Sequence, residues 1–154
     1  MKRCAPPDGV TWSASALSTI IHPRNPRAPS IHVHISHTET KAGGATWRIM
    51  ADLNPAVPHA PDTERFEAAL REAAPTLFDA ARAQGDRYFH IPALGRHRGV
   101  THFYLESFTG GDAEADFALA KHVGEAVLDT YVALLAEARL RPFSEGDRNA
   151  QRAY

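Results

Sequence analysis

Cysteine is almost missing from this chain. Cys4 stands alone among 154 residues, so no disulfide can close within it and no zinc site built on two or more thiolates is available. That usage suits a reducing, cytoplasmic compartment. An excess of charge of either sign is missing as well. The 17 Lys and Arg and the 18 Asp and Glu are interspersed and leave a formal net charge of −1, so no basic stripe exists to neutralise a phosphate backbone, and nucleic acid is not an expected partner. Apolar stretches are broken by Arg, Glu or His within a few residues, well short of the roughly 20 needed to cross a bilayer, so no membrane span is expected. The opening Met1-Lys2-Arg3-Cys4-Ala5-Pro6-Pro7 has a basic pair with no apolar stretch behind it and does not read as a secretory signal.

Proline (11) and histidine (9) are plentiful, and both concentrate in the first two-thirds of the chain. A hydrophobic share of 44% fits one globular domain with a single core. Ser15 to His22 alternates as a strand, with Leu17, Thr19 and Ile21 on one face and Ser18, Ile20 and His22 on the other. Pro23, Pro26 and Pro29 then impose a stiff extended loop. Alternation resumes at Ser30: Ile31, Val33 and Ile35 are expected in the core, with Ser30, His32, His34 and Ser36 opposite and facing a cleft. The Lys41-Ala42-Gly43-Gly44 turn predicts a hairpin into a strand that carries Trp47, Ile49, Ala51 and Leu53 on one face and Arg48, Met50 and Asp52 on the other.

Asp62 reads as a helix N-cap, and the stripe Phe66, Ala69, Leu70, Ala73, Leu77, Phe78 and Ala81 predicts helix, split or kinked at Pro75 and closed at Gly85. Tyr88 to Ile91 reads as a short strand, and Gly99-Val100 opens another. Asp112 is expected to cap a long helix whose stripe is Phe117, Ala120, Val123, Val127, Tyr131, Leu134 and Ala138, ended by Pro142. Asp147 to Tyr154 shows no cap or closing element, so further strands are expected to be missing. The order implies an α+β domain on a mostly antiparallel sheet flanked by helices.

Three kinds of chemistry fit these residues. Ser18, His22, His32 and Asp52 converge if the three strands are neighbours, and His is the side chain suited to proton transfer near neutral pH. A Ser-His-Asp triad is formally available but lacks a nucleophile elbow or a glycine-rich oxyanion turn. A metal held by His32 and His34 would need a third ligand such as Glu39, Glu67 or His22, because His37 falls on the other face. Arg24, Arg27, Arg48, Arg96 and Arg98 supply forked donors for carboxylates.

The run Ser18-Thr19-Ile20-Ile21-His22-Pro23-Arg24-Asn25-Pro26-Arg27-Ala28-Pro29-Ser30-Ile31-His32 resembles the signature of the oxygen-dependent coproporphyrinogen III oxidases. Collinear similarities follow at Ala51-Asp52-Leu53-Asn54-Pro55, Tyr88-Phe89, Arg98-Gly99-Val100 and Phe103-Tyr104 with Glu106. The resemblance implies a homodimeric, coproporphyrinogen-oxidase-like α+β fold. It also implies oxidative decarboxylation of two propionates of a tetrapyrrole substrate to vinyl groups, with molecular oxygen as co-substrate and no required organic cofactor. Carried over, His32 is the proton-transfer residue and Asp52 the acceptor of the pyrrole N–H groups. Ser18, His22, Asn25, His34, Ser36 and Arg48 are expected to contact substrate.

Several departures accompany the match. The family's Asn-x-Arg beyond the proton-transfer His is His34-Ile35-Ser36 here, so a carboxylate clamp is replaced, with Arg48 as the expected substitute. Two further family histidines, in a set ascribed a divalent-metal role, fall near Glu67 and Ala93, which argues against a metal held by that set. Residues 1–14 do not match, and residues 15–154 read as the central part of a longer domain, truncated at both ends. Little or no decarboxylase activity is therefore expected of the isolated chain. A non-catalytic tetrapyrrole-binding or structural remnant and a His-rich metal-binding protein are the alternatives.

Overall fold

Period-two alternation builds the sheet and period-3.6 stripes cover one side of it. The computed structural model describes residues 12–40 and 44–154. Strands β1 (Trp12–Ile21), β2 (Ser30–Thr40) and β3 (Ala45–Asn54) form an antiparallel meander, and β6 (Phe103–Phe108) adds to β3, giving the order β1-β2-β3-β6. A minimal hairpin, β4 (His90–Ile91) with β5 (Arg96–His97), turns through a single 3₁₀ turn at Pro92–Leu94. Helices α1 (Ala60–Ala73), α2 (Phe78–Phe89), α3 (Ala113–Ala138) and α4 (Glu145–Ala153) complete the α+β domain. The Lys41-Ala42-Gly43 part of the expected turn lies outside the described residues, but the strands flanking it pair as a hairpin.

One face of the sheet is apolar because alternate residues of β2 and β3 are. Ile31, Val33, Ile49, Ala51 and Leu53 meet Phe66 and Leu70 of α1 and Val123, Val127, Tyr131 and Leu134 of α3. Each large side chain so buried contributes on the order of 1.5–3 kcal/mol. Ile35 reaches this core only in part, and Phe117, expected in the α3 stripe, is 58% exposed, resting against Trp47 of β3 at a ring distance of 6.1 Å at the edge of the core. Pro75 separates α1 from α2 as its missing N–H requires. Asp112 caps α3, accepting from the N–H groups of Glu114 and Ala115.

Four local expectations are overturned. Asp62 is no cap: α1 begins at Ala60, and Asp62 is buried in a two-pronged pair with Arg141 at 2.6 and 2.7 Å. Burial works against its charge, but the Arg141 hydrogen bonds hold its carboxyl below the usual range. Gly85 does not close a helix. It lies inside α2, where a Cβ would sit 1.6 Å from the His102 carbonyl oxygen, so its lack of a side chain lets helix and loop touch. Tyr88 and Phe89 continue that helix, and only His90–Ile91 is strand. The tail is also structured: Ser144 and Asp147 form a reciprocal capping box that starts α4.

Candidate active site

The second face of the sheet is polar, and its register decides which groups meet. His32 lies directly opposite Asp52, with Ile20 flanking it on β1. One row along, Ser18, His34, Met50 and Tyr104 line up, and in the next Ser36 faces Arg48. Directly opposed residues of antiparallel strands share a face. His32 and Asp52 therefore sit together, as expected.

Asp52 is fully buried. Its Oδ1 accepts the backbone N–H of Thr101 and of His102, each at 3.2 Å, and the Thr101 hydroxyl at 3.5 Å, whereas Oδ2 has no partner. Burial pushes this carboxyl up from its ordinary value, and the two N–H groups with the nearby cations push back. The loop closes over it at Gly99. That residue has φ +66 and a Cβ there would lie 1.9 Å from Oδ2, so both the left-handed backbone and the close approach demand glycine.

Arg98, the preceding residue, donates from Nη2 to His32 Nδ1 at 3.0 Å and lies 4.8 Å over the Phe89 ring, while its Nε is buried without a partner. A guanidinium only donates, so His32 Nδ1 is the acceptor and Nε2 carries the proton of the neutral ring. Burial lowers the His32 pKa first, followed by the charges of Arg98 and His34. The imidazole is thus kept in its neutral form.

His32 and Arg98 border a cleft of about 510 Å³ that is also lined by Ile20, His22, Ser30 and Tyr154 among others, and Asp52 lies buried behind them. His22 Nδ1 lies 3.1 Å from Ser30 Oγ. α4 walls one side: Gln151 donates to the Pro23 carbonyl at 2.9 Å, and the Tyr154 hydroxyl accepts from Gly99 N at 3.1 Å. A smaller groove of about 250 Å³ opens at the other end of the same face, bordered by Ser36, Arg48 and Glu106. There His34 Nε2 bonds Ser36 Oγ at 3.0 Å, and Arg48 is paired with Glu106 at 2.8 Å. Tyr104 donates to the same Glu106, and burial together with that carboxylate drives the phenol far up.

The expected residues therefore divide. His22 and His32 line the cleft with Asp52 buried behind it, Ser36 and Arg48 border the groove, and His34 is bonded to Ser36. Ser18 sits beside His34 on exposed β1. Asn25 is not brought to the cleft: its amide donates to the carbonyls of Ala138, Arg139 and Arg141 and its Oδ1 accepts from Arg27 N, which locks the proline loop to the end of α3. Arg48 does not replace the missing clamp in the cleft, since it lies two rows away with a carboxylate of its own. Arg98 is the guanidinium in the cleft, and its Arg-Gly context was the signal that could have singled it out.

The positions of the histidine set ascribed a metal role are occupied as follows. A guanidinium lies against His32 Nδ1, Glu67 is bonded to Arg82, and residue 93 is alanine. Among the described residues, no helix is long and apolar enough to cross a membrane.

Comparison with known proteins agrees with the motif. A family model for coproporphyrinogen III oxidase matches residues 1–154. The oxygen-dependent coproporphyrinogen-III oxidase of Rickettsia akari (strain Hartford) is 27% identical over 147 residues, covering 91% of this chain and 51% of that protein. The protein of the same name from Drosophila melanogaster is 29% identical over 150 residues, covering 92% of this chain and 38% of its own length. The chain thus spans about half the length of the first and less of the second.

Proposed function

The chain belongs to the coproporphyrinogen III oxidase family, and from that premise we propose that its cleft binds coproporphyrinogen III and supports oxygen-dependent decarboxylation of the propionates to vinyl groups. The observation that carries this reading is that His32 and Arg98 line one cleft and that Asp52 lies buried behind them, directly opposite His32 in the strand register. A reduced tetrapyrrole presents inward N–H donors and outward carboxylates. Asp52, with an oxygen that no protein donor claims, matches the first, and Arg98 matches the second.

Conversion of a propionate to a vinyl group breaks the bond to the carboxylate, releases CO₂, removes a proton and leaves two electrons. Two such steps supply the four electrons that reduce one O₂ to water, so dioxygen suffices as oxidant and no organic cofactor is invoked. Within this reading Arg98 has two partners in sequence. While it donates to His32 Nδ1, that lone pair is occupied; a propionate draws the guanidinium away and frees the imidazole to accept a proton. Arg98 is thereby a substrate-binding residue and a control on the base.

A second reading, tetrapyrrole binding without turnover, is favoured by the groove, where Ser36 stands in place of a guanidinium clamp and Arg48 is neutralised by Glu106. Anaerobic titration with coproporphyrinogen III, then admission of oxygen and product analysis, separates the two. Saturable binding that yields vinyl products and CO₂ supports the first. Binding with no product supports the second, and no binding overturns both.

A further inference from the structure

At the far end of the polar face from Arg98, the groove of about 250 Å³ is bordered by hydroxyls and by one ion pair. Ser36 stands opposite Arg48 and Thr38 opposite Thr46 in the register of β2 and β3, and the small Ala16 and Ala14 of β1 lie beside Ser36 and Thr38. Glu106 and Ser107 border it from β6. We propose that this groove is a specificity subsite that takes an uncharged hydrogen-bonding substituent of the tetrapyrrole, a hydroxyl or an amide, and discriminates against a carboxylate. The inference rests on the tetrapyrrole reading and adds which substituents that face selects.

Charge argues against an anionic occupant. Glu106 Oε1 accepts from Nε and Nη2 of Arg48 at 3.2 and 2.8 Å, and its Oε2 accepts from the Tyr104 hydroxyl. Burial works against the Glu106 charge, but the bonds from Arg48 and Tyr104 hold its carboxyl below the ordinary range. Burial, and then the Arg48 charge, lower the pKa of the adjoining His34 and favour its neutral ring. The charges bordering the groove therefore cancel. A ligand carboxylate would have to displace Glu106 from Arg48 or lie beside a fixed negative charge, giving up water in either case.

The hydroxyls fit the opposite kind of ligand. Ser36, Thr38, Thr46 and Ser107 each offer one donor and two acceptor lone pairs, so a neutral hydroxyl or amide finds both functions within one groove. Strand alternation alone does not bring them together. Glu106 and Ser107 are consecutive and would face opposite sides of a regular strand. Both nevertheless border the groove, because β6 shifts register against β3 between Trp47 and Ile49 and Ser107 lies in the left-handed region at φ +51, uncommon for a residue with a side chain.

The location lets one ligand reach both ends of the face. From His32 to Ser36 is four residues along β2, about 13 Å at 3.3 Å per residue, the scale of a substituted tetrapyrrole. In the row between them Met50 and Tyr104 are buried, with Phe89 and Tyr88 of α2 packed against Tyr104, whereas Ser18 is exposed and His34 partly so. An open track along β1 and β2 thus joins cleft and groove. A propionate held at Arg98 brings a substituent of another ring to Ser36 and Thr38, and a ligand with a neutral arm there binds better than one with a carboxylate at every ring.

Fluorescence titration of the full chain with three porphyrins tests this: haematoporphyrin IX, with propionates at one end and hydroxyethyl groups at the other, mesoporphyrin IX, which has ethyl groups in their place, and coproporphyrin III, with a propionate on every ring. Haematoporphyrin IX should bind about fivefold more tightly than mesoporphyrin IX, the effect of one neutral hydrogen bond, and more tightly than coproporphyrin III. Ser36→Ala and Thr38→Val, at partly exposed positions, should each narrow the first difference. Ser36→Arg should invert the second, and Arg98→Ala should weaken all three porphyrins alike. Equal binding of haematoporphyrin IX and mesoporphyrin IX, tightest binding of coproporphyrin III by the parent chain, or an order unchanged in Ser36→Arg would each overturn the proposal while leaving the tetrapyrrole reading in place. Binding of none of the three overturns that reading and the subsite with it.

Discussion

The two ends of the polar face differ in what their arginines meet. At the cleft end Arg98 touches a neutral imidazole and an aromatic ring and has a buried nitrogen to spare. At the groove end Arg48 is saturated by Glu106, which Tyr104 also engages. A guanidinium without a counter-ion in a half-buried setting is poised for an anionic ligand, whereas one already paired gains little by exchanging partners. Position on a common face therefore does not make two arginines equivalent.

The largest expected effect comes from removing the carboxylate beneath the cleft. Asp52→Ala strands the buried N–H groups of Thr101 and His102 at about 1–3 kcal/mol each, so urea denaturation should show a large loss of stability, together with loss of tetrapyrrole binding. Asp52→Asn, which keeps an acceptor, should recover most of the stability and little of the binding. Gly99→Ala should reach a similar result from above, because its Cβ collides with Oδ2. If it binds and folds as the parent does, the loop does not seal Asp52.

Arg98→Ala comes next. One charge-assisted bond to a carboxylate contributes roughly 1.5–3 kcal/mol, or about a 10- to 150-fold change in Kd, measurable by fluorescence titration with coproporphyrin III. Arg48→Ala in parallel sharpens the comparison; should it weaken binding more than Arg98→Ala, the two ends have been assigned the wrong way round.

Acid titration gives a smaller effect with a defined sign. His32 and His34 have folded-state pKa values below the ordinary histidine value, through burial first and then through Arg98 for His32 and Arg48 for His34. The unfolded chain therefore takes up protons more readily, and stability should fall as pH drops below about 6.5 and level off beneath the lower folded values. In Arg98→Ala the His32 resonance, followed by NMR, should titrate at higher pH than in the parent. An unmoved His32 titration would place Arg98 away from the ring in solution. The smallest effect is the stability of Arg48→Ala, expected within about 1 kcal/mol of the parent because its ion pair is largely solvated.

Much of the frame was legible because it depends on local periodicity. Alternation in β2 separated Ile31 and Val33 from His32 and His34, Pro75 divided α1 from α2, and Asp112 announced the start of α3. The Ser144 and Asp147 spacing that starts α4 was also present, against the expectation of a tail with no cap or closing element. Asp62 could not be assigned locally, since its partner Arg141 is 79 residues away. Gly85 looked like a helix end because its purpose, contact with His102, lies in another element.

Hydrophobic alternation and chain chemistry by themselves determined the first three strands, which face of its own strand each of His32 and Asp52 occupies, and the family motif, because strand side chains alternate with a fixed period whatever the rest of the fold does; their direct pairing came from the register. Tertiary structure alone decided that Arg98 and not Arg48 enters the cleft, that Asn25 locks a helix end, and that Ser36, Arg48 and Glu106 border one groove. Those outcomes depend on loop paths and on contacts between residues remote in the chain, such as the 66-residue separation of His32 and Arg98. No local pattern encodes such distances.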